Sequence, residues 1–181
     1  MQNIAIQIRL ATPNDIPEIS RLIPESVRAL GANYYDAQQI ESALVHVFGV
    51  DTQLIDDGTY LVAVVDNEIA GCGGWSRRET LYGGDQAKSE ADPLLDPTRD
   101  PARIRAFFVH PRWARRGIGR MIINACEEAA RKAGFRKLEL VATLPGEPLY
   151  AATGYEVIER FEIDLPDGVK LTVARMQKQM S

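Results

Sequence analysis

The chain has 181 residues, 45% of them hydrophobic, and a formal net charge of −4 at neutral pH. That is enough apolar material for one compact domain over residues 1–181, while the acidic balance excludes general nucleic-acid binding, which needs a basic surface. Cys72 and Cys126 have no Cys or His at metal-ligand spacing, so no metal centre is expected, and no apolar run reaches the roughly 18 residues of a membrane-crossing helix.

Met1-Gln2-Asn3 lacks the basic and apolar regions of a secretory signal, which makes a cytoplasmic protein the expectation. Ile4 to Leu10 alternates with period two and predicts a strand. Thr12-Pro13-Asn14-Asp15 reads as a helix start, with a capping Thr, an early Pro and an early acid. The helix runs through Ile16, Ile19, Leu22 and Ile23 until Pro24 kinks or breaks it. Gly31 to Tyr35 is a looser segment, after which Asp36 caps a second helix with Ile40, Ala43, Leu44 and Val47 inward. Asp56-Asp57-Gly58 is a turn. Thr59–Val65 and Glu68–Ser76 are strands joined by a tight turn at Asp66-Asn67. Gly71, Gly73 and Gly74 in the second strand predict a bulge or the close approach of a ligand.

From Arg77 to Pro101 no periodicity holds, and a loop of this length either covers a substrate or is disordered. Ala102–Val109 is a strand that His110-Pro111 ends. A basic turn, Arg115-Arg116-Gly117-Ile118-Gly119-Arg120, opens the best helix of the sequence. Its apolar stripe is Ile118, Met121, Ile122, Ala125, Cys126, Ala129, Ala130 and Ala133; Glu127–Arg131 and Glu128–Lys132 are i,i+4 pairs on the other face, and Gly134 ends it. Two glycines at a helix start are costly unless something comes close to the backbone. The unpaired N–H groups and the arginines suit a phosphate; a solvated basic turn is the plainer reading. Lys137–Ala142 is a strand, Glu147–Thr153 a short helix ended by Gly154, and Tyr155–Leu165 with Val169–Gln177 a hairpin around Pro166-Asp167-Gly168. The order is βααβββαβαββ. Hairpins beside long crossovers predict a mixed α/β sheet with helices on both faces.

The run Val109-His110-Pro111 followed by Arg116-Gly117-Ile118-Gly119-Arg120 resembles the acyl-CoA-binding signature of the GNAT superfamily of N-acetyltransferases. The family's usual Gln/Arg three residues before the first glycine is Ala114 here. Leu149-Tyr150-x-x-x-Gly154-Tyr155 resembles a second family segment, in the right order after the first. The likeness covers about Ile6 to Met176. It implies a mixed, mostly antiparallel sheet in which the strand ending at Val109 splays from Lys137–Ala142 to admit the pantetheine arm. It implies acetyl-CoA as co-substrate, held by Phe108, Val109, Arg115, Arg116, Gly117, Ile118, Gly119 and Arg120. Tyr150 is then the acid that protonates the departing CoA sulfur, against a buried structural tyrosine as the alternative.

A small-molecule or peptide amine is the implied acceptor, and a homodimer is compatible with the resemblance. Tyr34, Tyr35, Trp75 and Tyr82 are candidates to line the acceptor pocket, with ordinary packing as the alternative for each. The family's frequent Glu on the central strand is missing from Ala102–Val109, and Glu79, Asp100 or solvent remain as the base. Arg103 and Arg105 either face solvent or, from the cleft, favour a carboxylate-bearing acceptor. The missing acid also supports a second hypothesis, an acyl-CoA-binding module without turnover.

Overall fold

The structure, a computed structural model, describes residues 4–88 and 92–181. The readings of Met1-Gln2-Asn3 and of 89–91 in the long loop lie outside the described residues. Among them, seven strands make one sheet: β1 (Gln7–Leu10), β2 (Tyr60–Val65), β3 (Glu68–Ser76), β4 (Ala102–Val109), β5 (Lys137–Thr143), β6 (Glu156–Asp164) and β7 (Lys170–Gln179). Their spatial order is β1-β2-β3-β4-β5-β7-β6. Every neighbouring pair is antiparallel except β4 and β5. The β2–β3 turn is as expected, with Asp66 and Asn67 at φ 50° and 63°, the conformation that a two-residue hairpin requires.

The helices are α1 (Ile16–Gly31), α2 (Ala37–His46), α3 (Thr52–Asp56), α4 (Ile118–Lys132) and α5 (Glu147–Ala152). They cover both faces of the sheet. Alternate residues of β2 divide between two cores: Val62 packs with Ile19, Leu22 and Ile23 of α1, and Ala63 with Ile118, Ile122 and Cys126 of α4. Period-two alternation is what lets one strand serve both layers.

Three expectations about helices need correction. Pro24 does not break α1, which is continuous through it. The proline removes one N–H and crowds the preceding turn, and burial of Ile19, Leu22, Ile23 and Ser26 offsets that cost. A short α3, capped by the Asp51 side chain, precedes the predicted turn; at five residues it is too short to show a periodic stripe. On α4, Met121 is exposed while Ile123 and Glu127 are buried. Glu127 bonds Lys178 and Tyr155 rather than Arg131, which pairs with Glu128. The first strand is shorter than expected, starting at Gln7.

The bulge foreseen for the glycine-rich strand lies at Ala70, since Ala63 pairs with Gly71 but Val64 with Ile69, and a second bulge sits on its other partner. Cys72 pairs with Phe108 but Gly74 with Arg105, so β4 carries one extra residue, and Ala106 there has φ 55°. The insertion reverses the phase of the strand. Ala102 and Ile104 belong to the α4 core, Ala106 and Phe108 pack on the α1 core, and Phe107 and Val109 return to the α4 side. The three β3 glycines answer to protein, not ligand. A Cβ at Gly71 would meet Ile118 at 2.8 Å, one at Gly73 the Phe107 ring at 2.7 Å, and one at Gly74 the Thr59 carbonyl oxygen at 2.7 Å.

Candidate active site

β4 and β5 are paired at only two positions, Ala102↔Leu138 and Arg103↔Glu139. Beyond these they diverge, and a cleft of about 680 Å³ opens between them. One wall carries Phe107, Phe108 and Val109, the other Val141 and Thr143. The far end runs beneath the α1–α2 connection, and the near end reaches the start of α4.

That start is built by backbone conformation. Arg115 has φ 60° and Gly117 has φ 84°, and the chain then enters α4 with Met121 N–H donating to the Gly117 carbonyl at 3.0 Å. Among the described residues no side chain caps the helix, so its first N–H groups are free for a ligand. Arg115, Gly117, Ile118, Gly119 and Arg120 all line the cleft. The uncapped N–H groups, the positive end of the helix dipole and two guanidinium groups fit an anion such as a pyrophosphate. Arg116 is placed differently: its guanidinium lies 5.2 Å from the centre of the Trp113 ring, and it does not line the cleft. The two glycines do separate jobs. At Gly117 a Cβ has open space, but the left-handed φ disfavours any other residue. At Gly119 a Cβ would lie 2.7 Å from Leu149 Cδ2, so this glycine lets α5 approach α4.

Tyr150 comes in on α5, buried, and lines the same cleft between the two strands. Its ring stands edge-on to Phe107 at 6.1 Å and to Tyr155 at 5.9 Å between centroids. Burial above all, with the Cys126 thiol beside it, pushes its phenol above the usual range, so it stays protonated. The wall behind is fixed: Tyr155 donates to Glu127 Oε1 at 3.0 Å, and Lys178 Nζ donates to the same carboxylate at 3.0 Å.

At the far end, Tyr34, Tyr35 and Tyr82 line the cleft, and Trp75 does not. Trp75 is buried on the α4 side, edge-on to Phe135 at 6.1 Å, because its place in β3 points it into that core. Tyr35 has no hydroxyl to spare: it donates to the Thr172 carbonyl at 2.7 Å and accepts from Leu144 N–H at 2.9 Å. Tyr34 and Tyr82 are half exposed, the latter near Phe161.

Leu81 to Gly84 of the long loop form one lip of the cleft, and the loop is tied down. Arg105 on β4 donates to Asp51 at 2.9 Å, to the Gly83 carbonyl at 2.6 Å and to the Thr80 carbonyl at 3.2 Å. Lys88 donates to the other Asp51 oxygen at 2.7 Å, and Arg78 to Asp57 at 2.7 Å. Arg105 therefore faces neither solvent nor a free carboxylate, and Arg103 is likewise engaged with Glu139 at 2.7 Å. Glu79 and Asp100 are absent from the lining. His110 sits at the strand end, with Nε2 at 2.6 Å from Glu25 and Nδ1 accepting from Arg112 N–H.

The sequence matches the acetyltransferase (GNAT) family over residues 26–155. The chain belongs to that family. It is accordingly an acyltransferase. Similar solved structures share its fold. A GCN5-related N-acetyltransferase from Rhodopseudomonas palustris has a TM-score of 0.73 at 20% identity, covering 99% of each chain. The YncA protein of Salmonella typhimurium, a putative acetyltransferase solved with its cofactor acetyl-CoA, has a TM-score of 0.65 at 17% identity, covering 98% of this chain and 95% of that one. The PaiA N-acetyltransferase of Thermoplasma acidophilum, solved with coenzyme A, has a TM-score of 0.64 at 15% identity, covering 97% and 99%. No curated protein sequence matches. Within this GNAT fold, Asp51 is a contributor that reasoning from sequence passed over. Its cap of α3 is local, but its bonds to Arg105 and Lys88 join residues far away in the chain.

Proposed function

We propose that the protein is a single-domain N-acetyltransferase that moves an acetyl group from acetyl-CoA directly to a primary amine of a small molecule or peptide. The observation that carries this is one cleft joining the uncapped start of α4, the parted edges of β4 and β5, and Tyr150. The two neighbours solved with coenzyme A or acetyl-CoA support the same reading.

On this reading the pyrophosphate rests on the first N–H groups of α4 beside Arg115 and Arg120. The pantetheine arm lies between β4 and β5, where each strand has backbone groups that the other does not use. Phe108 and Val109 flank it on the β4 side. The amine nitrogen attacks the thioester carbonyl carbon, the C–N bond forms and the C–S bond breaks. The nitrogen loses one proton to solvent, and the sulfur gains one. Tyr150, kept neutral by burial, donates that proton and is restored from solvent. Its amide product and free thiol balance the reaction without a covalent enzyme intermediate or a metal.

Calorimetry with CoA, followed by thiol release from acetyl-CoA with a panel of amines, tests the proposal. Saturable CoA binding with amine-dependent thiol release is expected. CoA binding with no release from any amine would mark a binding module instead, and no CoA binding would overturn both.

A further inference from the structure

The acceptor end of the cleft has an unusual charge inventory. Among the described residues, the charged side chains lining the whole cleft are Arg105, Arg115 and Arg120; no carboxylate and no histidine is among them. Three acids on neighbouring segments are paired: Asp51 with Arg105 and Lys88, Glu41 with Arg28, and Glu147 with Arg160. Apart from Ser26, the side chains there are mostly apolar or aromatic, with Val27 and Leu30 from α1, Tyr34 after it, Phe48, and Leu81 and Tyr82 from the loop.

Resting on the acetyltransferase reading, the geometry points to an acceptor that is an apolar, ring-bearing amine already neutral at physiological pH, such as an arylamine or aryl hydrazine. Two independent features converge on that chemistry. An alkylammonium with a lysine-like pKa of ~10.4 is neutral in only about one molecule in a few thousand near pH 7, so its use requires a base to take the proton, or an acid to hold the cation. The lining offers neither, and its fixed charges are all positive. A ring amine of low basicity is already neutral and needs neither before it attacks; the proton it sheds on forming the amide passes to solvent. Its ring also has partners, because Tyr34, Phe48 and Tyr82 present aromatic surface to the space it would fill. The lip is held in place by the Arg105 bonds to Asp51 and Gly83, so this surface exists before any acceptor arrives.

The test compares aniline and phenylhydrazine with spermidine, lysine and a short amine-terminated peptide, by thiol release from acetyl-CoA at neutral pH. CoA binding is measured separately on the same preparation, so that a failure of the acetyltransferase reading is seen there. The ring amines should exceed the cationic ones in kcat/KM by about tenfold or more. In Leu30→Glu, at a partly exposed position on the last turn of α1, the ratio should move toward spermidine, since the new carboxylate supplies what the cleft lacks. With CoA binding intact, an equal or reversed preference overturns the inference. So does turnover of no ring amine, or a Leu30→Glu variant with unchanged ratio and CoA affinity.

Discussion

Arg105 and Asp51 meet 2.9 Å apart with side chains that are 2% and 0% exposed. A pair so placed links the central strand to the cap of α3 and, through the Gly83 and Thr80 carbonyls, to the loop that forms one lip of the cleft. Burial pulls the Arg105 guanidinium below its usual range, and Asp51 opposes that. Asp51→Asn strands a cation in the interior. It should lower unfolding free energy by ~3–5 kcal/mol, read by urea denaturation. Asp51→Asn with Arg105→Met should recover part of the loss, because the buried guanidinium is then gone and Lys88 keeps Asp92 at 3.9 Å.

The two glycines at the head of α4 separate by mechanism. Gly117→Ala places a Cβ at φ 84° in open space and should cost ~1–2 kcal/mol of backbone strain. Gly119→Val meets Leu149 and should disturb the α4–α5 contact that positions Tyr150, lowering turnover along with stability. Leu149→Ala should relieve the Gly119→Ala variant but not Gly117→Ala. Thermal melts of Gly117→Ala, Gly119→Ala and Leu149→Ala, singly and with Leu149→Ala added to each glycine variant, check this.

Tyr150→Phe keeps both edge-on ring contacts and removes only the hydroxyl. If the phenol supplies the proton to sulfur, kcat should fall by ~10²–10⁴-fold, with melting temperature and CoA affinity nearly unchanged. A structural tyrosine gives the reverse: kcat within about twofold and stability lower by ~1 kcal/mol. Because burial raises the phenol, Tyr150 should contribute no ionisation to the pH–rate profile below the ordinary tyrosine range.

Buried thiols set the alkaline limit of stability. Burial raises the Cys72 thiol to about 12, and Cys126, Tyr60 and Tyr150 shift in the same sense. The unfolded chain loses these protons at ordinary values while the fold retains them. Stability is thus full below the unfolded thiol value of ~8.5 and falls as pH rises toward about 12. Melting temperature should decline between pH 8.5 and 10.5, and the slope should be shallower in Cys72→Ala.

Strand and helix order was legible along nearly the whole chain, because alternation in β2 and the apolar stripe of α4 report burial directly. The Gly117 turn stood out by its glycine pair and arginines, and Tyr150 by the resemblance of Leu149–Tyr155 to a family segment; both line the cleft. The β4 bulge was not, since nothing in Ala102–Val109 distinguishes a strand that changes phase at Ala106. Trp75 and Tyr35 look alike as aromatic candidates in sequence. Only the α4 core around one and the two backbone bonds of the other separate them from Tyr34 and Tyr82. Arg105 shows the same limit, as its partner Asp51 lies 54 positions away.

The two rungs between β4 and β5 carry a mechanical consequence. The sheet is in effect two plates, β1–β4 and β5–β7–β6, riveted at one margin and bridged elsewhere by side-chain packing under α4. A plate pair of this kind has a soft bending mode about the rivet. Those amides of Ala106–Val109 and Val141–Thr143 that are turned to the cleft, away from the β3 and β7 ladders, should therefore exchange with solvent faster than the amides bonded between β5 and β7. A molecule lodged between the plates acts as a splint, and its arrival should be felt as slower exchange along both margins at once.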